Sequence, residues 1–291
     1  MENTTNKITC SLCGRDGASF YTSKNSFDLY KCLNCGLIFI SPIPESIGVY
    51  DDSYFSGAEK GFGYVDYDAD KEPMIPTFNK YLDILDGMGV KGGSLLDIGA
   101  ATGFFMNIAK KRGFVVTGVE FSDFAAEKGR KLGLNLITGD LISQKFSDEC
   151  FDVITMFDVI EHVPNPKEII SEVKRILKKG GVVIINTPDA ESMWAKILGK
   201  HWQLIMPPEH INYFSPKNLG NYMVKNGFKV ILSTKIGKKF TLQYVIKMLY
   251  KWSGLRIFLT KANSTGFLSK TYIPINLRDN FFMIVKKNEN I

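Results

Sequence analysis

Three acidic residues close successive apolar runs, and their neighbours limit the chemistry open to them. Asp97 ends SLLDI and precedes a turn holding Gly99, Ala101 and Gly103; Glu120 ends VVTGVE; Asp140 follows NLIT through Gly139. Glycines after a strand let a nucleotide lie on the backbone, but a loop built for a pyrophosphate sets N–H groups and a helix start against negative charge. Asp97 would repel a phosphate and suits a ligand with a positive end. The dinucleotide pattern G-x-G-x-x-G also fails, because Ala101 and Phe104 stand where it needs glycine. The spacing that fits is D-x-G-x-A-x-G. At 17 residues past Gly103, Glu120 can accept both hydroxyls of an adenosine ribose, and Asp140 can take the adenine amino group. S-adenosylmethionine offers that set of groups: an amine, a ribose diol and an exocyclic amino group, with no phosphate.

A second set lies further on. His162, in MFDVIEHVP, directly follows a strand, and histidine is the usual general base near neutral pH. Asp158 and Glu161 flank the same turn, with Asp158 expected to shape the donor pocket and Phe157 or Val159 to lie against the adenosine. His210, a second candidate base, follows Pro207-Pro208-Glu209 in a loop that could act as a lid, while His201, beside Trp202, reads as packing or rim. Tyr50, Tyr54 and Phe55 could fold over the donor and exclude water.

The third set is metallic. Cys10-x-x-Cys13 and Cys32-x-x-Cys35 are 18 residues apart, and a glycine follows each pair. Two such knuckles can place four thiolates around one zinc with no position left for substrate, so the metal is expected to be structural. Cys150, alone before a strand, reads as a core residue.

These residues must be positioned by alternating strands and helices, the pattern of a parallel sheet covered on both faces. The runs 94–98, 115–120, 135–138, 152–157 and 182–187 read as strands, and 103–112, 122–132 and 166–179 as helices. In the last of these, Asn165 is placed to cap, Pro166 to start, Glu168 to complete a capping box and Gly180-Gly181 to stop. A helix over 77–88, another over 216–226, and the closing strands FKVILST and FFMIVKK complete the set. Residues 236–275 read as helical and basic. The chain divides into a cysteine module at 1–45, a linker and helical lid at 46–90, and a large α/β domain at 91–291.

Composition agrees with a globular α/β protein: 45% of the 291 residues are apolar and 23% charged. No apolar run approaches the length of a membrane span, and the polar N-terminus lacks a secretory core. Paired reduced cysteines point to a cytoplasmic compartment. The net charge of +6 is uneven. No acidic residue lies between Glu209 and Asp279, an interval with 12 lysines and arginines, so the C-terminal third either faces something anionic or is a solvated lysine-rich surface.

Taken in order, LLDIGAATGFF, GVEFS, TGDL and FDVITMFDVIEHVPNP resemble the class I S-adenosylmethionine-dependent methyltransferases over roughly residues 80–235. Ala101 departs from the usual glycine, and a methyl group is expected to be tolerated there. The resemblance implies a doubly wound, Rossmann-like, mostly parallel sheet of seven strands ending in an antiparallel hairpin. It also implies that Phe121 and Leu141 line the donor pocket with Phe157 and Asp158. The four-cysteine module, the Glu161-His162 pair and PPEHINYFSPKNL look like one branch of that family, which implies methylation of sugars, polysaccharide intermediates or other small metabolites. The acceptor is then anionic, its phosphates meeting the basic C-terminal third. O-methylation of a quinone or phenol is the alternative, with 236–275 lying on an anionic membrane. Methylation of RNA is disfavoured, since the module carries few basic residues and no N-P-P-[YF] follows the fourth strand.

Overall fold

A computed structural model describes residues 8–44, 67–236, 238–241, 272–275 and 278–289. The cysteine module is an antiparallel ribbon of β1 (Ala18–Lys24), β2 (Phe27–Cys32) and β3 (Ile38–Ile40). Two helices follow, α1 (Tyr67–Lys71) and α2 (Ile75–Gly87); the proposed lid aromatics Tyr50, Tyr54 and Phe55 lie outside the described residues. The alternating part then runs β4 (Gly93–Ile98), α3 (Phe104–Lys111), β5 (Phe114–Glu120), α4 (Asp123–Lys131), β6 (Asn135–Thr138), β7 (Phe151–Phe157), α5 (Pro166–Ile176) and β8 (Leu177–Pro188). After α6 (Met193–Leu198) come β9 (Asn212–Tyr213), α7 (Pro216–Lys225) and β10 (Phe228–Thr234). β11 (Lys238–Thr241), β12 (Tyr272–Ile275) and β13 (Asn280–Lys287) end the described chain.

The main sheet has seven strands in the order β10-β13-β8-β7-β4-β5-β6. β8, β7, β4, β5 and β6 run parallel, while β13 and β10 add antiparallel at the β8 edge, as the sequence implied. The parallel strands are apolar through their centres because helices cover both faces; Leu95, Leu96, Val153, Ile154 and Ile184 are all fully buried. Strand order reverses at β4, with β5 and β6 on one side and β7 and β8 on the other. The carboxyl edge there is where open α/β sheets bind ligands.

Two expectations need correction. Helix α5 stops at Ile176 rather than 179, and Asn165 makes no side-chain cap. Leu177, fully buried, pairs with Phe151 instead, and the register then slips before Val153 meets Val182. Gly180 and Gly181 therefore lie inside β8 and absorb that bulge, Gly180 with φ +73°. The capping box occurs at α7, where Ser215 and Asn218 bond each other's backbone. The second correction concerns 236–275. Its described ends form a two-stranded antiparallel ribbon, Lys238 against Ile275, not helix.

The cysteine ribbon is not a separate unit. β3 pairs with β9, and Leu12, Leu37 and Phe39 share one core with Phe214, Leu219 and Met223 of the α/β domain. Among the described residues no helix is long and apolar enough to cross a membrane.

The turn after β4 needs its glycines. Gly103 has φ +79°, and a Cβ there would lie 2.4 Å from Leu134 Cδ1, itself buried. Gly103→Ala should therefore destabilise the protein by about 1–3 kcal/mol, read as a lower urea midpoint with an unchanged slope.

Candidate active site

The turn from β4 to α3 is held by one carboxylate. Glu120, 7% exposed, accepts from Ala101 N at 2.8 Å through one oxygen and from Ser122 N at 2.9 Å through the other. Burial pushes its pKa up, and the backbone N–H bonds work against that shift. Ala101 sits at φ +50°, a left-handed conformation that carries strain for any residue with a Cβ. So the methyl group fits, packed against Ala125, at some conformational cost. Gly99 has φ +70°, and a Cβ on it would meet Val159 Cγ2 at 2.5 Å, which places Val159 against the loop.

Asp97 is buried and accepts from Thr155 Oγ1 at 2.6 Å. Burial, helped by the nearby charge of Glu120, pushes its carboxyl up to about 7 despite that hydrogen bond. Asp140 sits differently. It is exposed, accepts from Ser143 N at 2.9 Å, and is held below the usual carboxylate range by that bond. Of the residues after β5 and β6, Phe121 is 72% exposed and Leu141 is buried.

A cleft opens where β4, β7 and β8 end beneath α1 and α2. Asp97, Asp158, Asn186 and Lys71 stand in its polar part, and Phe78, Tyr81 and Phe157 among its aromatic rings. Phe157 lies 4.9 Å from Phe105 edge-on and 5.3 Å from Tyr81, so its ring belongs to this aromatic wall. Asp158 adopts φ +55°, donates its N–H to Asn186 O and accepts from Asn186 Nδ2, both at 2.8 Å. The sequence reading missed Tyr81 and Asn186. Tyr81 follows Phe78 at helical spacing and reads as core; Asn186, an amide inside the apolar run VVIINT, was the one visible signal.

The two histidines meet. His162 lies on a 3₁₀ turn after β7 and His210 on the loop before β9, with ring centroids 4.7 Å apart and planes at 74°. His162 Nδ1 is 2.7 Å from Glu209 O, and His210 Nδ1 is 2.8 Å from Leu204 O. A carbonyl only accepts, so Nδ1 carries the proton in each ring and Nε2 presents a lone pair. Burial lowers both pKa values, His210 to about 3 with further repulsion from His162, so both rings are neutral at pH 7. Glu161, 1% exposed, accepts from Thr187 Oγ1 at 2.8 Å, and its backbone carbonyl accepts from Ile211 N at 2.8 Å. It therefore supports the turn that carries His162. His201 is exposed, as a rim residue would be.

Far along the ribbon the four thiols converge. Cys10 and Cys35 sulfurs are 3.6 Å apart, Cys13 and Cys32 sulfurs 3.7 Å, and all four lie within 4.8 Å of one another. A tetrahedral zinc with Zn–S near 2.3 Å needs sulfurs roughly 3.8 Å apart, so the donor set fits that ion. Each knuckle is closed by its glycine, Gly14 N to Cys10 O and Gly36 N to Cys32 O. Cys150 is half-buried and packs against the main core.

A nucleotide-type loop at the switch point of this sheet, facing an acid-lined cavity, defines a Rossmann-like methyltransferase fold. A family model described as "Methyltransferase domain" matches residues 73–233, and the chain belongs to that family. An uncharacterized protein of Methanocaldococcus jannaschii is 33% identical over 140 residues, 48% of this chain and 66% of that one. A ubiquinone biosynthesis O-methyltransferase of Pasteurella multocida is 32% identical over 139 residues, 42% of this chain and 57% of that one. The chain thus spans between about half and two thirds of these relatives' lengths. Among solved structures, magnesium protoporphyrin IX methyltransferase of Synechocystis, with bound SAH, shares the fold at TM-score 0.51 and 14% identity. That match covers 78% of this chain and 88% of the other.

Asp97 sets a pH dependence whose sign is fixed. Its pKa in the fold, about 7, exceeds the 3.8 of the unfolded chain, so its contribution to stability is complete below pH 3.8 and lost as pH rises through 7. Asp97→Asn keeps an acceptor for Thr155 and removes the titration. The variant should gain stability over wild type from pH 5 to 8.5, on the order of a few kcal/mol at the alkaline end, by denaturant titration of the ligand-free protein.

Proposed function

We propose that this chain transfers the methyl group of S-adenosylmethionine to a small-molecule acceptor, a sugar, nucleotide-sugar or polysaccharide intermediate, with a histidine removing the acceptor's proton. One observation carries the reading: two neutral histidines from separate loops meet at 4.7 Å, and Asp158, which lines the cavity at the sheet's switch point, is near enough to act on the charge of both. The donor supplies an activated methyl group, so the protein need only align it, exclude water and take up a proton. Asp97 faces the donor's positive end, Glu120 braces the loop beneath the ribose, and the exposed Asp140 marks the adenine side. As the acceptor oxygen attacks, the C–O bond forms while the S–CH₃ bond breaks. The oxygen's proton passes to Nε2 of His162, which the Glu209 carbonyl has left as the basic nitrogen. His210 stands behind it as the second nitrogen base.

A quinone or phenol acceptor is the second reading. The relative named as a ubiquinone biosynthesis O-methyltransferase supports it, and the basic segment between Glu209 and Asp279 suits an anionic membrane surface. A soluble nucleotide-sugar would use the same positive charge against its phosphates. Methylation assays with both acceptor classes, with and without anionic vesicles, separate the two.

Cys10, Cys13, Cys32 and Cys35 would hold zinc in this reading. The ion would act structurally, closing the ribbon that pairs with β9 and so backs the His210 loop.

Two outcomes follow. S-adenosylmethionine should raise the melting temperature while NAD leaves it unchanged; His162→Ala should keep donor affinity and lose roughly 10²–10⁴-fold in turnover. If only His210→Ala silences the enzyme, the base is His210; if neither does, the acceptor is an amine or thiolate that needs no base. Because burial depresses the His162 pKa, turnover should stay high to lower pH than a solvent histidine would allow. Elemental analysis should find about one zinc per chain. Its removal should lower the melting temperature and turnover together, and an alkylatable, metal-free protein with full activity would refute the structural zinc.

A further inference from the structure

Large apolar side chains scattered singly over a surface are ordinary. Helix α6 is different: Met193, Trp194 and Ile197, three such side chains within five residues, are 64%, 37% and 65% exposed. Met193 and Ile197 are one turn apart and share a face, and Trp194, three residues before Ile197, borders it. The residue that α6 buries is Ala195. The helix is therefore apolar on its outer side. Helix α5 shows the usual arrangement, with Ile170, Val173 and Ile176 buried while Lys167 and Glu168 face out.

This inverted pattern gains the fold nothing, and six residues are too few for helix propensity to hold them. The support comes from behind. Ser192 Oγ caps the helix by accepting from Ala195 N at 3.1 Å, and Trp202, 1% exposed, anchors the chain just beyond it against Leu29, Ile38 and Tyr213 of the ribbon core. Lys24 Nζ of the ribbon donates to Trp202 O at 3.4 Å. An outward apolar face mounted in this way fits a partner outside the chain.

Charge selects which partner. Lys196 stands exposed on the same helix, and Lys200 and His201 stand exposed just after it. Between Glu191 and Asp279 the chain has one acid, Glu209, against fourteen lysines and arginines: the twelve that follow Glu209 together with Lys196 and Lys200. In a contact with a second copy of this chain, that surplus would repel itself. An anionic lipid surface uses both features. Met193 and Ile197 suit the acyl boundary, Trp194 the headgroup level, and the lysines the lipid phosphates.

We infer that α6 is a membrane-docking face, which sets Met193, Trp194 and Ile197 into the interface of an anionic bilayer. This contact stands whichever acceptor is methylated, and it lies on α6 rather than on the basic segment 236–275. From α6 the chain runs through Trp202 to Leu204, whose carbonyl holds His210 Nδ1 at 2.8 Å, so docking would bring the histidine loop toward the bilayer.

Co-sedimentation of the full chain with vesicles tests the assignment. Vesicles of equal parts phosphatidylglycerol and phosphatidylcholine should bind it about 10-fold or more tightly than phosphatidylcholine alone. Met193→Glu and Ile197→Glu should each weaken binding to the anionic vesicles by about 10-fold or more, the worth of one buried apolar side chain. Both positions are exposed, so the melting temperature should not change. Tryptophan emission should shift to the blue on the anionic vesicles, and Trp194→Phe should remove most of that shift while the protein still sediments. Full binding by both glutamate variants would move the contact to another basic surface and overturn the assignment. Wild-type protein that ignores anionic vesicles would overturn it as well. So would a dimer, seen by sedimentation velocity, that Ile197→Glu dissolves, because the face would then be a contact between copies.

Discussion

Ile211 donates its backbone N–H to Glu161 O at 2.8 Å, and its carbonyl accepts from Ile40 N at 3.0 Å. Its side chain is fully buried. Through this one residue the turn after β7, the loop carrying His210 and the last strand of the cysteine ribbon are tied in line. Asn212 doubles the tie: Ser11 Oγ donates to its oxygen at 2.8 Å and its amide donates to Val163 O at 2.7 Å. A two-residue strand such as β9 is too short to hold itself, and it persists because β3 and the turn after β7 claim its backbone. The four cysteines converge in the same ribbon, whose strands pair with one another and whose core is shared with the α/β domain.

Low dielectric shapes the site in two opposite senses that serve the same end. Burial disfavours charge, raising the carboxylates Asp97 and Glu120 and lowering His162 and His210. Without a ligand, the site is poorer in charge than its residue types suggest. A cationic ligand would reverse this at Asp97, whose pKa near 7 lets a modest interaction ionise it. The histidines remain neutral, which a proton acceptor requires. In the proposed reaction, donor capture and proton uptake would draw on one property of the surroundings.

Some of the architecture was legible because it is local. Strands β4 to β7 follow apolar runs that end in Asp, Glu or glycine, and such runs bury on both faces in any parallel sheet. The acid and glycine spacing from Asp97 to Gly103 encodes positive φ angles and a loop averse to phosphate, properties of the chain itself. Two C-x-x-C knuckles likewise carry their geometry in their spacing. Helix α5 was misjudged at its end because propensity and Gly180-Gly181 favoured three more residues of helix. The pairing of Leu177 with Phe151 across the sheet prevailed.

What the sequence by itself determined is the class of fold, the position of the ligand loop and the residue types available for proton and metal chemistry, since each follows from neighbours along the chain. The tertiary structure alone decided which of these act together. His162 and His210 are 48 residues apart, and contacts between distant segments, such as Ile211 N to Glu161 O, bring their rings to 4.7 Å. Tyr81 reads as core from its helical spacing and Asn186 as an amide in an apolar run, and only the packing of α2 over the ends of β7 and β8 brings them to one cavity. Contacts between distant segments depend on how strands order themselves across a sheet, and no local spacing carries that order.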